Sequence, residues 1–300
     1  MHNTIKLAII GLDTSHAVEF PKLLQDQETP PELRVNGLQV TRCLRFPTPF
    51  YSEEGQDQRQ AYLESIGVKV TTDFEEAVGD CDAISININD PAFHLPYFEK
   101  CAKLGKRIFL DKPVADNLGN AAKIFQTARE NQVEFCSASS LRFDVDFLEG
   151  CSRNPAPDSL HVWGPVGTAA AGSSIIWYGV HAFEMLQRAM GRGATAVTVQ
   201  EDHQGYLCHV TYANGKRGIV ELTRNNYNYG ALFRSFSGKT DKIDVTCRIP
   251  FYQQMLLALK DFFKEGKMPL EWEDMFEVMS MLDAADRSAR SGRPETVYTK

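Results

Sequence analysis

Apolar runs, each ending in polar residues, recur through the first 138 or so residues, and they limit the fold more than any other feature of the chain. The first is KLAIIGLDTSH, in which Leu7 to Ile10 stop at Gly11 and are followed by Asp13, Thr14, Ser15 and His16. Further runs follow at Gly37–Cys43, Val68–Thr71, Asp82–Ile88 (DAISINI), Lys106–Leu110 (KRIFL) and in QVEFCSA. Stretches with helical spacing separate them: from about Ala17 to Asp26, Gln56–Ser65, FEEAV, from NDPAFH to Leu104, and Asn117–Asn131. The runs are continuous rather than alternating, as in parallel strands covered on both faces. Strand alternating with helix predicts a doubly wound α/β sheet. Such sheets bind ligands beyond the carboxyl ends of their strands. Here those ends carry Gly11 to His16, Arg42 with Arg45, Asn87 to Pro91, and Asp111 to Pro113.

The first turn reads as strand, sharp bend and helix start, with Thr14 or Ser15 as the cap. Backbone N–H groups at such a start suit a phosphate. A full dinucleotide fingerprint has three glycines, and this turn has one, Gly11. After the second strand an acid usually holds the ribose. Arg42 and Arg45 stand there instead, either to hold a 2′-phosphate or as two surface arginines on a loop. Asp73 with Glu76 forms a capping-box pattern, and Pro91 suits a first helical turn.

Past residue 140 the pattern changes. LRFDVDFLEGC reads as a helix, SLHVWGPVG as strand and loop, and WYGVHAFEMLQRAM (177–190) as an amphipathic helix with His181 near its start. Strand candidates follow in TAVTVQE, YLCHVTYA, RGIVELTR, ALFRSFS and DKIDVTC. The Asn214-Gly215 step between two of them is a hairpin signal. Helices are expected at about Tyr252–Lys264 and Trp272–Ser291. The expected class is therefore an N-terminal Rossmann-type parallel sheet, residues 1–138, and a C-terminal α+β domain with an open, mainly antiparallel sheet, residues 139–300. The C-terminal helix is free to pack back on the first domain.

Composition narrows the function. The net charge of −7 and the lack of a basic stripe argue against nucleic acid. No stretch approaches the roughly 18 apolar residues of a membrane span. MHNT leads straight into a strand, so no signal peptide is expected. Seven scattered cysteines without CxxC read as reduced, mostly buried thiols, and the cytoplasm is the expected compartment. Neither HExxH nor a dense carboxylate cluster occurs, so no metal is expected. GxSxG is absent as well.

Several residues have two readings each. Lys112, after a buried strand, either donates a proton to a carbonyl or alkoxide or is a solvated loop lysine. His181, with Tyr178 at i−3 and Glu184 at i+3, either takes a hydroxyl proton or is a histidine satisfied by a carboxylate. Tyr178 is a proton donor or a packing aromatic, and Trp177 reads as wall. His16 touches a cofactor phosphate or the substrate, or caps its helix. His94 approaches a cofactor or the substrate, or packs in the first turn of its helix. Arg142, between apolar neighbours, reaches back toward the strand ends.

With these residues assembled, the chain resembles the glucose–fructose oxidoreductase, inositol dehydrogenase and rhizopine catabolism (Gfo/Idh/MocA) family of NAD(P)-dependent oxidoreductases. The likeness lies in the opening strand and turn, NxNDPAFH (87–94), the Lys-Pro pair of Asp111-Lys112-Pro113, and GVH before a helix. It spans almost the whole chain, and GLDTSH looks like a divergent branch. The resemblance implies NAD or NADP as cofactor and a sugar-like or cyclitol-like substrate. It also implies a homodimer or homotetramer built through the C-terminal sheet. It places Lys112 and His181 in the catalytic roles, with Tyr178 as a compensating group. Cofactor contacts fall on Gly11, Asp13, Thr14, Ser15, His16, Arg42, Asn87, Asn89, Pro91, His94, Asp111, Lys112 and Pro113. Substrate contacts fall on Arg142, Trp177 and Glu184. The family often has an aspartate four residues before its histidine, where this chain has Trp177. Two alternatives stand beside the dehydrogenase: a non-catalytic, ligand-binding or structural protein on the same fold, and an NAD-dependent redox-neutral glycosidase.

Overall fold

The computed structural model describes residues 4–299 and contains two compact units. The first comprises the chain up to Ala115 with Asn120–Ser137 and Tyr252–Pro269; the second comprises Asp116–Gly119, Ala138–Phe251 and the chain from Leu270 on.

Strands β1 (Ile5–Ile10), β2 (Leu38–Leu44), β3 (Lys69–Thr71), β4 (Ala83–Ile86), β5 (Arg107–Leu110) and β6 (Phe135–Cys136) form one sheet in the order β3-β2-β1-β4-β5-β6. All of its pairings are parallel. Helices α1 (His16–Gln25), α2 (Glu53–Ser65), α3 (Phe74–Val78), α4 (His94–Ala102) and α5 (Leu118–Glu130) connect the strands. Ala8, Ile9, Ile10, Ile84, Ile86, Ile108, Phe109 and Leu110 are fully buried, which explains why these strands read as unbroken apolar runs. Strand order reverses between β1 and β4, the place where doubly wound sheets open a ligand crevice.

Some local details depart from expectation. Helix α2 begins at Glu53 because Ser52 Oγ accepts the Gly55 N–H and caps it. Pro91 opens a short 3₁₀ turn, Pro91–Phe93, capped by Asp90 through the Ala92 N–H, before α4 starts at His94. Strand β2 runs on to Leu44. Arg42 is therefore inside the strand, paired in register with Ala8 rather than standing at the carboxyl end.

The second unit holds α6 (Val145–Arg153), β7 (Ser159–Pro165), α7 (Ser174–Trp177), α8 (Val180–Met190), β8 (Ala194–Glu201), β9 (Gly205–Tyr212), β10 (Arg217–Thr223), β11 (Gly230–Arg234) and β12 (Thr240–Asp244). Helix α9 (Phe251–Glu265) lies, from Tyr252 on, with the first unit, whereas α10 (Trp272–Ser291) and β13 (Glu295–Thr296) belong to the second. The second sheet has the order β12-β11-β7-β10-β9-β8-β13. It is mainly antiparallel, with one parallel pair, β7 with β10. Its strands alternate in burial, as one-face-covered strands do. Helix α8 packs against β7, β10 and α10, and α10 also packs against β8. The expected fold class, a Rossmann-type sheet followed by an α+β part, is what the chain adopts. No helix of the described residues is long and apolar enough to cross a membrane.

The expected helix over 177–190 is broken. Trp177 ends α7, Tyr178 and Gly179 form the junction, and α8 starts at Val180. All seven cysteines are free; five are buried, Cys151 is half-buried and Cys247 is exposed.

Candidate dinucleotide turn and candidate proton-transfer site

In the first unit the turn after β1 is built by backbone sterics and two distant side chains. Gly11 has φ +104°, and a Cβ there would stand 2.4 Å from the Asn87 carbonyl oxygen. Only glycine lets β1 and β4 approach this closely. Arg59 on α2 donates one guanidinium nitrogen to the carbonyls of Leu12 (2.8 Å) and Thr14 (2.9 Å) and stacks over Tyr51 at 3.7 Å. In a trans peptide the C=O and N–H point opposite ways, so this grip turns the Ser15 N–H away from Arg59. The N–H groups of Thr14, Ser15 and His16 have no acceptor among the described residues, while that of Ala17 meets Thr14 Oγ1 at 3.3 Å. Unclaimed N–H groups at the start of a ten-residue helix fit an anion.

Asp13 is buried with its carboxylate bonded inward. Oδ2 accepts the Thr48 hydroxyl at 2.8 Å and Oδ1 the Asn89 N–H at 3.0 Å. Burial pushes its pKa up, against those hydrogen bonds. The bulk that replaces the second glycine thus ties together the ends of β1, β2 and β4. His16, at the third glycine position, is buried against Phe20 (ring centroids 5.0 Å apart) and Tyr252 (4.9 Å). Tyr252 also meets Ser15 Oγ at 2.8 Å. His16 Nδ1 lies 2.8 Å from Asp111 Oδ2, an ion-pair distance without straight hydrogen-bond alignment. Asp111 Oδ1 accepts the N–H of Lys112, which itself is half-buried at the end of β5 before a cis Pro113.

Burial raises the pKa of Asp111, but His16 and Lys112 outweigh it and leave the carboxyl at about 2. The ordinary value is 3.8, so the folded state holds this proton less tightly than the unfolded chain. The stabilisation is complete above the unfolded value and is lost as pH falls from about 4 to 2. It amounts to about 2 kcal/mol. Asp111→Asn is expected to flatten the pH dependence of urea unfolding between pH 5 and 2. A variant that loses stability across this range as steeply as the native chain overturns the assignment.

Other expected cofactor residues fall differently. Asn87 is fully buried, accepts the Ser85 hydroxyl at 2.7 Å, and keeps an Nδ2 that no described residue accepts from. Both His94 ring nitrogens face backbone carbonyls, Nδ1 that of Pro113 and Nε2 that of Ile88, each at 2.8 Å. This fully buried ring ties the end of β4 to Pro113. Arg42 lies inside β2, and its charge helps to lower the pKa of Glu76 and Asp80. Arg45 is held by Glu53 (2.7 Å) and Asp57 (2.6 Å).

In the second unit His181 is almost fully buried. Its Nδ1 lies 2.7 Å from Ser139 Oγ, and its ring meets Tyr178 and Tyr229 edge-on at 4.9 and 5.9 Å. Gly164 on β7 makes room for this wall, since a Cβ there would fall 2.5 Å from the Tyr229 ring. Trp177 packs beside Tyr178, ring centroids 5.1 Å apart. Glu184 and Arg142, expected at a substrate, hold each other: a buried pair at 2.9 Å, with Arg142 also donating to Gln187 Oε1 at 2.7 Å. Desolvation raises the Glu184 pKa despite Arg142, and its carboxylate also takes the Ser139 N–H. Arg59, Tyr252, Ser139 and Tyr229 carried no signal in sequence, because each acts on a residue remote along the chain. Among the described residues no group of three His, Cys, Asp or Glu is placed to hold a metal.

The first unit is thus a Rossmann fold with an anion-ready turn. Residues 5–139 match the model of the Gfo/Idh/MocA family, described as an oxidoreductase family with an NAD-binding Rossmann fold. No curated protein matches the chain. Among solved structures the chain is similar to GenD2 from gentamicin A biosynthesis, in complex with NAD: 17% identity, TM-score 0.80, over 99% of this chain and 97% of that one. It is similar to a myo-inositol dehydrogenase from Corynebacterium glutamicum: 13% identity, TM-score 0.79, over 99% and 100%. A scyllo-inositol dehydrogenase from Lactobacillus casei aligns at 13% identity and TM-score 0.77, over 99% of each chain. At these identities the likeness is one of fold.

Proposed function

We propose that the protein is an NAD(P)-dependent oxidoreductase of the Gfo/Idh/MocA type, acting on a hydroxyl of a sugar-like or cyclitol-like substrate. The observation that carries this is the turn from Gly11 to His16, where three backbone N–H groups without acceptors among the described residues stand at a helix start on the switch point of a parallel sheet. The match of residues 5–139 to an NAD-binding family supports it, as does the fold shared with a structure that holds NAD and with two inositol dehydrogenases. When bound, a nicotinamide dinucleotide supplies the hydride chemistry.

The chain's own residues bind, orient and move protons. The N–H groups of Thr14, Ser15 and His16 would hold the pyrophosphate, while the Asp13 carboxylate is taken up by Thr48 and Asn89. Asp111, charged at neutral pH and 2.8 Å from His16 Nδ1, orients the Lys112 backbone. Lys112 polarises the substrate oxygen, and His181 exchanges the hydroxyl proton. Calorimetry is expected to show binding of NAD(H) or NADP(H) to the purified protein. His181→Asn is expected to lower dinucleotide reduction with a panel of cyclitols and aldoses by 10²- to 10⁴-fold. Folded protein that binds neither dinucleotide overturns the proposal.

A further inference from the structure

We infer that the protein prefers NAD to NADP, and that Glu53 and Asp57 on α2 set this choice by enclosing Arg45. This rests on the reading of the protein as an NAD(P)-dependent oxidoreductase. In a Rossmann sheet the group after the second strand meets the adenosine ribose. An acid there takes the hydroxyls of NAD, and an arginine nearby accommodates the 2′-phosphate of NADP. Here β2 ends at Leu44, whose carbonyl accepts the Gly11 N–H at 3.0 Å, so the residue at that place is Arg45. By residue type alone it points to NADP.

Its surroundings reverse that. Glu53, Asp57 and Gln60 share one face of α2, at i, i+4 and i+7. Glu53 Oε2 lies 2.7 Å from Arg45 Nη2, and Asp57 Oδ1 lies 2.6 Å from Nη1. Nη1 also donates to Gln60 Oε1 at 2.9 Å, and Nη2 to the Glu53 carbonyl at 3.3 Å. The Arg45 side chain is 15% exposed, whereas those of Glu53 and Asp57 are 64% and 68% exposed. A phosphate arriving from solvent therefore meets two negative charges before the positive one.

A phosphate monoester brings about −1.5 to −2 charges at pH 7. To reach Arg45 it has to displace both carboxylates and leave them beside it, and like charges set side by side suppress the wrong ligand. A ribose hydroxyl brings no charge, and its hydrogen can go to a carboxylate oxygen. The two acids on α2 thus stand in for the acid that the end of β2 lacks. The other arginines near this place are committed elsewhere. Arg42 lies inside β2 opposite Ala8, and Arg59 holds the carbonyls of Leu12 and Thr14.

Calorimetry of the full chain with NADH and with NADPH tests this. At low salt NADH is expected to bind at least about 10-fold more tightly. Glu53→Gln combined with Asp57→Asn is expected to raise NADPH affinity and to lower that ratio at least about 10-fold. The ratio is the readout, because general damage to the turn weakens both dinucleotides alike. The native protein supplies a second measurement: the carboxylates are exposed, so added salt screens them and the preference is expected to narrow. NADPH bound as tightly as NADH by the native protein overturns this inference and leaves the oxidoreductase reading standing. A ratio unmoved in the double variant, or a preference that widens with salt, does the same. Binding of neither dinucleotide overturns both.

Discussion

Arg142→Met is expected to destabilise the protein by about 3–5 kcal/mol, the largest effect of any single substitution considered for this chain. Arg142 and Glu184 are both buried and lie 2.9 Å apart, so removing the guanidinium strands a carboxylate away from water. Gln187 loses its donor in the same step. The alternative for Glu184 is to take up a proton. Its pKa is already raised by desolvation, and Arg142 is the main influence that holds it down. A carboxyl with a raised folded pKa contributes its full stability below the unfolded value. That contribution is lost as pH rises through the folded value. The variant should therefore be closer to native stability at pH 5 than at pH 8. Arg142→Met combined with Glu184→Gln should recover most of the loss, because the amide oxygen still accepts the Ser139 N–H and carries no charge. Urea unfolding of the two single variants and the double variant measures the coupling. Additive losses would show that the pair does not act as a unit.

Gly11→Ala is expected to cost about 2–4 kcal/mol, from about 1–2 kcal/mol for an L-residue at positive φ plus the strain of overpacking. At φ +104° the new Cβ meets the Asn87 carbonyl oxygen at 2.4 Å and its carbon at 2.9 Å. Both atoms are backbone, so no side chain can swing aside. Relief requires β1 and β4 to part where strand order reverses, and it moves the N–H groups of the turn with them. Dinucleotide affinity should fall at least about 10-fold, which is about 1.4 kcal/mol. Urea unfolding and calorimetry on the same preparation check both. A variant within about 0.5 kcal/mol of the native chain, with unchanged affinity, removes Gly11 from the site.

The sequence by itself determined the elements and where their polar ends gather. Leu7 to Ile10, Ala83 to Ile86 and Arg107 to Leu110 are nearly all buried on both faces, so their apolar composition reports the parallel sheet directly. The carboxyl-end positions of Gly11, Asn87 and Lys112 follow from the same periodicity. Arg42 shows its limit: the run continues two residues to Leu44, and strand length is set by pairing with β1, which local composition does not encode. Tertiary structure alone decided the partners. Ser139 meets His181 across 42 residues, Thr48 meets Asp13 across 35, and Ser15 meets Tyr252 across 237. It also decided that β7 runs parallel to β10, that β13 joins the second sheet, and that Arg142 and Glu184 hold each other. Periodicity records which face of an element is buried. Which buried polar group satisfies which is settled only when distant elements pack and each donor must find an acceptor.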